Sequence, residues 1–456
     1  MYLRPRALAL ARRCFGICVA LSVVERWGVL RACYSDAGVL PVAAWRDDVG
    51  DDPLHRAVCL HAWSGSLRWQ QLLSVSQLAL GLLLAVDAAP RTCAVLSLWL
   101  YASATARHAR LAFILDRYAH LVLLWVALAP AKPRSAAGLA AAALYRAQLA
   151  WIYWDAGYAK RADPDRGWAS DARVPALDAY LRHTAVGEAL RALLGPRGLR
   201  AVTPTVPLVE LGAPLLCAVG ALAGSTTVQW AAIGAVLAMH AGIGAAMNGA
   251  GLLSVFAAAA WLPALPLGPP AAPARSTRRD GLRVLVLLAF AGACVWHEMF
   301  ARQCQDATRS PLTAVFHNRW NVFAGSEDHV TWEIMPARRV DGAVVDLWNY
   351  GAPVSWAMPV RAARRGRWRS FPMLGDGDAP PGELDRVYGY FCGEYNAGRP
   401  GDERVTHFHA YMLQADLANS SRVSKRLLHA TACPEDYDAQ SSSQAKDASM
   451  RFASSS

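Results

Sequence analysis

Residues 204–223 read PTVPLVELGAPLLCAVGALA, a long apolar run that carries one charged residue, Glu210. The next apolar run, residues 227–247, reads TVQWAAIGAVLAMHAGIGAAM and holds the titratable residue His240. A helix of roughly 20 apolar residues is long enough to cross a bilayer. Each run therefore predicts a membrane-spanning helix, and the pair indicates an α-helical membrane protein.

The composition of the whole chain supports this interpretation. Of its 456 residues, 54% are hydrophobic and 18% are charged, which is too apolar for an ordinary soluble enzyme. Apolar runs recur along the sequence and predict a multipass α-helical membrane bundle of seven to nine spans. The candidate spans are residues 11–30, 71–89, 92–106, 111–130, 136–159, 204–223, 227–247, 251–267 and 281–300. The first is interpreted as an uncleaved anchor, because no small-residue cleavage site follows it.

The charge pattern indicates what the chain binds and how it is oriented in the membrane. The formal net charge is +11, and in a membrane chain excess arginine marks cytoplasmic loops and lipid headgroups rather than nucleic acid. Arg4, Arg6, Arg12 and Arg13 precede or begin the first span and favour a cytoplasmic N-terminus. Nine crossings would then place the C-terminal region in a lumen or outside the cell, and eight would reverse this.

Residues 301–435 are polar and rich in tryptophan, and they predict a small, mainly β domain outside the membrane, after a membrane domain at 1–300. Asp341-Gly342 between β-branched stretches is a strong hairpin signal. Cys392 and Cys433 could pair there in an oxidising compartment, where Asn419 would begin a glycosylation sequon. Residues 436–456 are expected to be a disordered tail. The amphipathic stretches within residues 31–70 and 161–203 are expected to lie along the membrane surface.

Several predicted spans contain charged residues, which cost roughly 2.5 to 3.5 kcal/mol each at the centre of a bilayer. Such side chains are expected to face the interior of the bundle or to pair with one another. For Asp116, a structural pair with Arg117 that fixes helix packing is favoured over a catalytic role. The intramembrane charged residues are Asp116, Arg117, Arg146, Asp155 and Glu210.

Motifs in this chain resemble, in order, those of the vitamin K-dependent γ-carboxylase-like membrane proteins, also called the horizontally transferred transmembrane (HTTM) domain family. The segments that carry the resemblance are RWGVLRACYSDAGVLP at 26–41, LAFILDRYAHLVLLWVALAP at 111–130, AQLAWIYWDAGYAKRADPDRGW at 147–168, TPTVPLVELGAPLL at 203–216 and MHAGIGAAMNGAGLLSVFAAAAWLP at 239–263. The resemblance implies an enzyme that acts on a lipid-soluble substrate, with reduced vitamin K or a similar quinol as cofactor. The larger lumenal region that binds a propeptide in the glutamate-modifying carboxylases has no equivalent in a chain of this length.

Two residues are candidates for catalysis on this basis. Lys160 matches the position of the family's catalytic base, and desolvation together with the neighbouring Arg161 would disfavour the charged form of its amine. His240 matches a family histidine and could move protons near neutral pH. The alternatives are a snorkelling lysine at a helix end and a buried structural histidine. If both are catalytic, their side chains should converge on one pocket, less than about 15 Å apart.

Weaker candidates for substrate binding are Asn248, two turns after His240, and His108, near another position where the carboxylases have a histidine. No metal site is expected. The sequence contains no P-loop, HExxH, GxGxxG or serine nucleophile elbow, so NTPase, metalloprotease, dinucleotide-dependent and hydrolase functions lack support. A non-catalytic membrane scaffold or assembly protein with a partner-binding C-terminal domain is the alternative function. A transporter is a third, indicated by the intramembrane charges alone.

Overall fold

The computed structural model describes residues 2–50, 52–108, 111–129, 134–162, 167–182, 184–247, 249–269, 277–299, 320, 323, 325, 329–359, 364, 366–370, 382–417 and 423–433. The described residues are mostly helical, at 67%. It divides into two compact units. Unit 1 comprises Met1–Val24, Val75–Ala106 and Ala112–Asp328, and unit 2 comprises Glu25–Ser74, Arg107–Leu111 and His329–Ser456.

The helices account for every apolar run in the sequence, since each of the nine predicted spans coincides with one helix. In chain order the helices are α1 (Pro5–Trp27), α2 (Leu30–Tyr34), α3 (Val42–Val49), α4 (Pro53–Val58), α5 (Leu67–Ala85), α6 (Pro90–Arg107), α7 (Ile114–Leu128), α8 (Ala136–Ala162), α9 (Ala176–Tyr180), α10 (Ala185–Val202), α11 (Thr205–Leu222), α12 (Thr226–Ala246), α13 (Gly251–Trp261), α14 (Arg278–Met299) and α15 (Glu383–Asn396).

Within the described residues, four helices are long and apolar enough to cross a membrane: Pro5–Trp27, Thr205–Leu222, Thr226–Ala246 and Arg278–His297. The 15 residues of α7 reach about 22 Å, and α13 is shorter still. Both fall below the hydrocarbon thickness of about 30 Å. The structure thus has four candidate spanning helices, and the larger number of crossings stays a prediction.

Large apolar side chains point away from the protein on α11 and α14. Leu216 and Leu222 are 54% and 69% exposed, and Leu285 and Trp296 are 64% and 60% exposed. An apolar surface of this kind is costly in water and favourable in lipid. These two helices therefore have the exposed surface expected of helices that border a bilayer.

Close backbone contact joins α1 and α5 inside unit 1. A Cβ atom added at Gly16 would lie 2.5 Å from the carbonyl oxygen of Gly81 and 2.2 Å from the backbone nitrogen of Ala85. Only glycine leaves room for this approach, in the manner of small-residue contacts between membrane helices. The core beside it contains the buried aromatic residues Phe15 and Tyr101.

Unit 2 is built around an antiparallel sheet whose strands are β1 (His329–Ile334), β2 (Pro336–Arg339), β3 (Val344–Asp346), β4 (Ala352–Pro353), β5 (Val405–Asp416) and β6 (Val423–Ala432). The long strand β5 pairs with β1 along its second half and with β2 along its first, while β6 covers its other edge. The predicted hairpin is confirmed, because β2 pairs with β3 and Gly342 adopts φ +87° in the turn.

A buried arginine lies among aromatic rings in the core of unit 2. Arg364 is 2% exposed, and its guanidinium lies 4.1 Å from the ring centroid of Tyr350, 4.6 Å from that of Trp368 and 4.7 Å from that of Phe391. Its charge is balanced by an ion pair with Glu394. The tryptophan-rich segment thus supplies a core, as its composition indicated.

The units divide the chain at other places than the domains expected from composition. Residues 25–74, which include a stretch expected to lie along the membrane surface, belong to unit 2. Trp320, counted with the β domain from the sequence, belongs to unit 1. A disulfide joins Cys392 of α15 to Cys433. Asn419 and residues 436–456 lie outside the described residues.

Candidate functional site

A cavity of about 410 Å³, open solvent at its mouth included, lies in unit 1 among α7, α8, α11, α12 and α13. Apolar side chains such as Ile152 and Leu253 form much of its wall. A few polar side chains interrupt this wall: Tyr118, Tyr153, Glu210, His240 and Ser254. An apolar pocket with a small number of fixed polar groups is the usual form of a small-molecule site.

Lys160 and Glu210 form a buried ion pair beside this cavity. The Lys160 Nζ donates to Oε1 of Glu210 at 3.0 Å, and the two side chains are 1% and 8% exposed. The sequence placed the Arg161 cation beside this amine, but in the structure Arg161 is exposed and a carboxylate is the ion-pair partner. Lys160 is therefore one half of a coupled pair rather than an isolated amine at the mouth of the bundle.

Gly157 and Pro214 shape the structure around the ion pair. At Gly157, one turn before Lys160, an added Cβ would lie 3.0 Å from Leu211 and 3.2 Å from the Cβ of Glu210, so glycine allows α8 to pack closely on α11. Pro214 lies inside α11 and has no N–H to donate to the carbonyl of Glu210 four residues earlier. The backbone carbonyl of Glu210 therefore lacks its usual partner within the helix.

His240 reaches the same cavity from α12. Its Nε2 atom is hydrogen-bonded to the hydroxyl of Tyr153, and the two rings meet edge to face at 5.7 Å. If Nε2 accepts from Tyr153, then Nδ1 carries the proton, and if Nε2 donates, Nδ1 is an acceptor. Tyr153 therefore decides which hydrogen-bonding role His240 offers to a ligand.

Three buried polar atoms around the cavity have no hydrogen-bond partner within the part of the chain that the structure describes. They are Oε2 of Glu210, Nδ1 of His240 and Oγ of Ser254. The three residues are only 6%, 8% and 4% exposed. A buried polar atom without a partner costs about 1–3 kcal/mol. A ligand with matching donors and acceptors would remove this cost.

Aromatic side chains from segments after α8, namely Trp168, Trp320 and Phe323, close one side of the site. The Lys160 Nζ lies 5.4 Å from the ring centroid of Trp168, whose indole N–H donates to the carbonyl of Phe323 at 3.1 Å. Phe323 and Trp320 both line the cavity. The backbone N–H of Trp320 donates to Asp155 at 2.6 Å. Asp155 thus holds a wall residue in place.

The structure places the predicted residues as follows. His240 and Glu210 line the cavity, and Lys160 joins it through Glu210. Asp116 is buried and accepts a hydrogen bond from the backbone N–H of Phe113. This bond caps the start of α7. Arg117 and Arg146 are half-buried.

The structure places one of the two weaker candidates, His108. His108 belongs to unit 2, where its ring packs edge-on against Tyr34 at 6.4 Å. Asn248 lies outside the described residues. His108 is not among the residues that line the cavity. Among the described residues, no group of three or more His, Cys, Asp or Glu side chains is arranged to hold a metal ion.

Several residues of the site were not singled out from the sequence. Tyr153 lies seven residues before Lys160, two helical turns away on the same face of α8, and this spacing was a usable signal. Ser254, Trp168 and Trp320 had no comparable signal, because they reach the site through packing between distant segments.

Comparison with family models, with curated proteins and with solved structures finds no match to this chain.

Proposed function

We propose that this chain is a multipass membrane enzyme of the γ-carboxylase-like type, which binds a quinol such as reduced vitamin K in the cavity between Glu210 and His240. The observation that supports this most directly is the set of unpartnered atoms on Glu210, His240 and Ser254 in a mainly apolar pocket. A ring with two hydroxyl groups and an apolar tail matches such a pocket. The motif resemblance points to the same ligand.

The residues present fit this ligand. Oε2 of Glu210 can accept from one hydroxyl, while Nδ1 of His240 and Oγ of Ser254 can each form a further hydrogen bond. Tyr118, Trp320 and Phe323 supply aromatic surface beside the ring. When bound, the quinol would supply the reducing electrons for chemistry with oxygen.

The Lys160–Glu210 pair is the proton-accepting unit in this proposal. Glu210 presents its free oxygen toward the cavity and accepts a hydroxyl proton there, while Oε1 stays bonded to Lys160. The pair is neutral overall before this transfer. Afterwards the Lys160 ammonium is an uncompensated positive charge beside the cavity, which favours negative charge on the bound ligand.

His240 and Tyr153 orient the ligand on the opposite side. The hydrogen bond between them fixes the imidazole ring and its tautomer. Trp168 and Phe323 exclude water from the ion pair, which strengthens its electrostatic effect. In this arrangement Lys160 is a positioning residue that acts through Glu210.

The test uses the full chain in liposomes supplied with reduced vitamin K, with oxygen consumption as one measurement and thermal stabilisation by the quinol as another. We expect Glu210→Gln to abolish oxygen consumption, and His240→Phe to weaken the stabilisation by the quinol. Arg161→Ala is the matched control, because it removes an exposed neighbouring cation and should leave both unchanged.

If the wild-type chain neither consumes oxygen nor is stabilised by the quinol, the enzyme proposal is wrong, and the scaffold function remains. If the quinol binds but no oxygen is consumed, the pocket is correctly assigned and the reaction is not.

A further inference from the structure

A second cavity in unit 1 has a different chemical character. It measures about 540 Å³, open solvent at its mouth included, and lies between the start of α1, the end of α7 and the first half of α8. Phe15, Trp125, Tyr145 and Pro263 form part of its wall, and Arg12 is the charged residue in its lining.

Hydrogen bonds hold two arginines, Arg12 and Arg91, at the rim of this cavity. Arg12 donates from Nε and Nη2 to both carboxylate oxygens of Asp87, at 2.6 and 2.9 Å. Arg91 donates to the carbonyl of Ala129, which itself lines the cavity. Because a carbonyl carries no charge, the positive charge of Arg91 is not neutralised by this contact.

Further arginines lie at the same end of the helices. Arg4 donates to the carbonyl of Gly268, Arg13 is exposed next to Arg12, and the Arg134 guanidinium lies 5.4 Å from the ring centroid of Tyr2. One aspartate, Asp87, lies among these arginines in the described segments. This rim therefore carries a clear excess of positive charge above an apolar space.

The position along α1 suits a membrane interface. Arg12 is seven residues after Pro5, so it lies about 10 Å along the helix from its start. An arginine side chain at that depth can extend toward the headgroups while its stem stays among apolar atoms. Phe15, on the cavity wall, lies about one turn further along α1.

We propose that this cavity binds an anionic phospholipid, with one acyl chain in the apolar space against Phe15 and Trp125 and the phosphate at Arg12, Arg13 and Arg91. Charge complementarity selects this occupant, since basic pockets between membrane helices favour acidic headgroups. Guanidinium groups also match phosphate oxygens in geometry. The site uses none of the residues proposed to bind the quinol.

The experiment is native mass spectrometry of the full chain in detergent, titrated separately with phosphatidylglycerol, phosphatidylcholine and oleate. Each basic residue near an acidic headgroup contributes about 1 kcal/mol. Arg12, Arg13 and Arg91 less the paired Asp87 leave a net excess of two positive charges, which predicts retention of phosphatidylglycerol more than about tenfold above that of phosphatidylcholine. Equal retention of the two phospholipids would overturn the proposal. Equal retention of oleate would overturn it too, because the phosphate would then not be recognised.

Variants separate the two halves of the site. Arg91→Gln should reduce phosphatidylglycerol retention about fivefold without removing an ion pair, and Ala141→Phe should reduce it by filling the cavity. The double variant Arg12→Gln with Asp87→Asn tests Arg12 without leaving a lone carboxylate. Arg200→Gln, an exposed arginine on α10, is the matched control and should bind as the wild type does. If folded Arg91→Gln and Ala141→Phe proteins both retain the lipid fully, this cavity is not the site.

Discussion

The Lys160 ammonium lies 3.0 Å from Oε1 of Glu210, and the two side chains are 1% and 8% exposed. A buried pair of this kind need not stabilise the fold relative to apolar residues, but each charge depends on the other. The pair thus connects α8 to α11 through an interaction that fails when either member is removed.

This dependence predicts a strong coupling between the two residues. Lys160→Met or Glu210→Leu alone should lower the free energy of unfolding by about 3–5 kcal/mol, because each leaves a buried charge unpaired. The double variant should melt at a higher temperature than either single variant. Thermal unfolding of the four proteins in one detergent measures this, and additive losses in the double variant would show that the residues are not coupled.

A glycine comparison tests the packing that positions Glu210. Gly157→Ala should lower the free energy of unfolding relative to Gly212→Ala, because the new methyl group meets Leu211 and Glu210 at 3.0–3.2 Å and these side chains must shift. Gly212→Ala on α11 is the control. A Cβ there meets nothing within 4 Å, so the change should be neutral or stabilising. Equal melting temperatures for the two variants would contradict the close approach.

His61 predicts a pH dependence of stability in unit 2. Burial, with the Arg26 and Arg107 cations, lowers the pKa of His61 from 6.5 to about 3. The unfolded chain therefore binds a proton below pH 6.5 that the folded chain does not. Stability is fully present above this pH and falls toward pH 3, by up to about 1.4 kcal/mol per pH unit.

His61→Gln should make this decline shallower between pH 6.5 and 4, as measured by urea unfolding at a series of pH values. His409→Gln changes an exposed histidine on β5 and serves as the control, with a profile like that of the wild type. A wild-type slope in the His61→Gln protein would show that another group causes the acid sensitivity.

The bond between Cys392 and Cys433 predicts a redox-sensitive stability. It closes a loop over a sequence separation of 41, so its loss should cost about 2–4 kcal/mol. Peptide mapping without reductant should recover the two cysteines in one linked species, and reductant should lower the melting temperature of the wild type but not of Cys392→Ser. Cys14→Ser, at a half-buried thiol, should keep the wild-type response. Alkylation of both Cys392 and Cys433 without reductant would exclude the bond.

Local patterns in the sequence predicted local structure well. Each apolar run coincides with a helix, and the Asp341-Gly342 turn joins two strands, because both signals depend on residues that are close in the chain. The assignment of residues 25–74 to unit 2 could not be predicted from such local patterns. Those residues join strands some 300 positions later, and composition carries no information on such pairing.

In the candidate site, too, the local sequence predicted some features, and others depend on packing between distant segments. Glu210 was singled out as a charge within an apolar run and His240 through the motif resemblance, and both line the cavity. The sequence named Arg161 as the cation next to Lys160 and did not identify Glu210 as its ion-pair partner. The true partner is 50 residues away and is brought there by the packing of α8 on α11, which Gly157 permits. A charge next to another in sequence is a poor guide to the charge it meets.

The exposed edge of strand β6 affects the self-association of this protein. Within the described residues it pairs with β5 alone, so one side of a ten-residue strand presents unpaired backbone groups, and Val423 and Leu427 are exposed along it. Such an edge is a template for aggregation unless it is protected. Lys425 and Arg426 place two positive charges on it, so two copies approaching edge to edge repel each other. Neutralising both charges would favour self-association through this strand while leaving the fold itself intact.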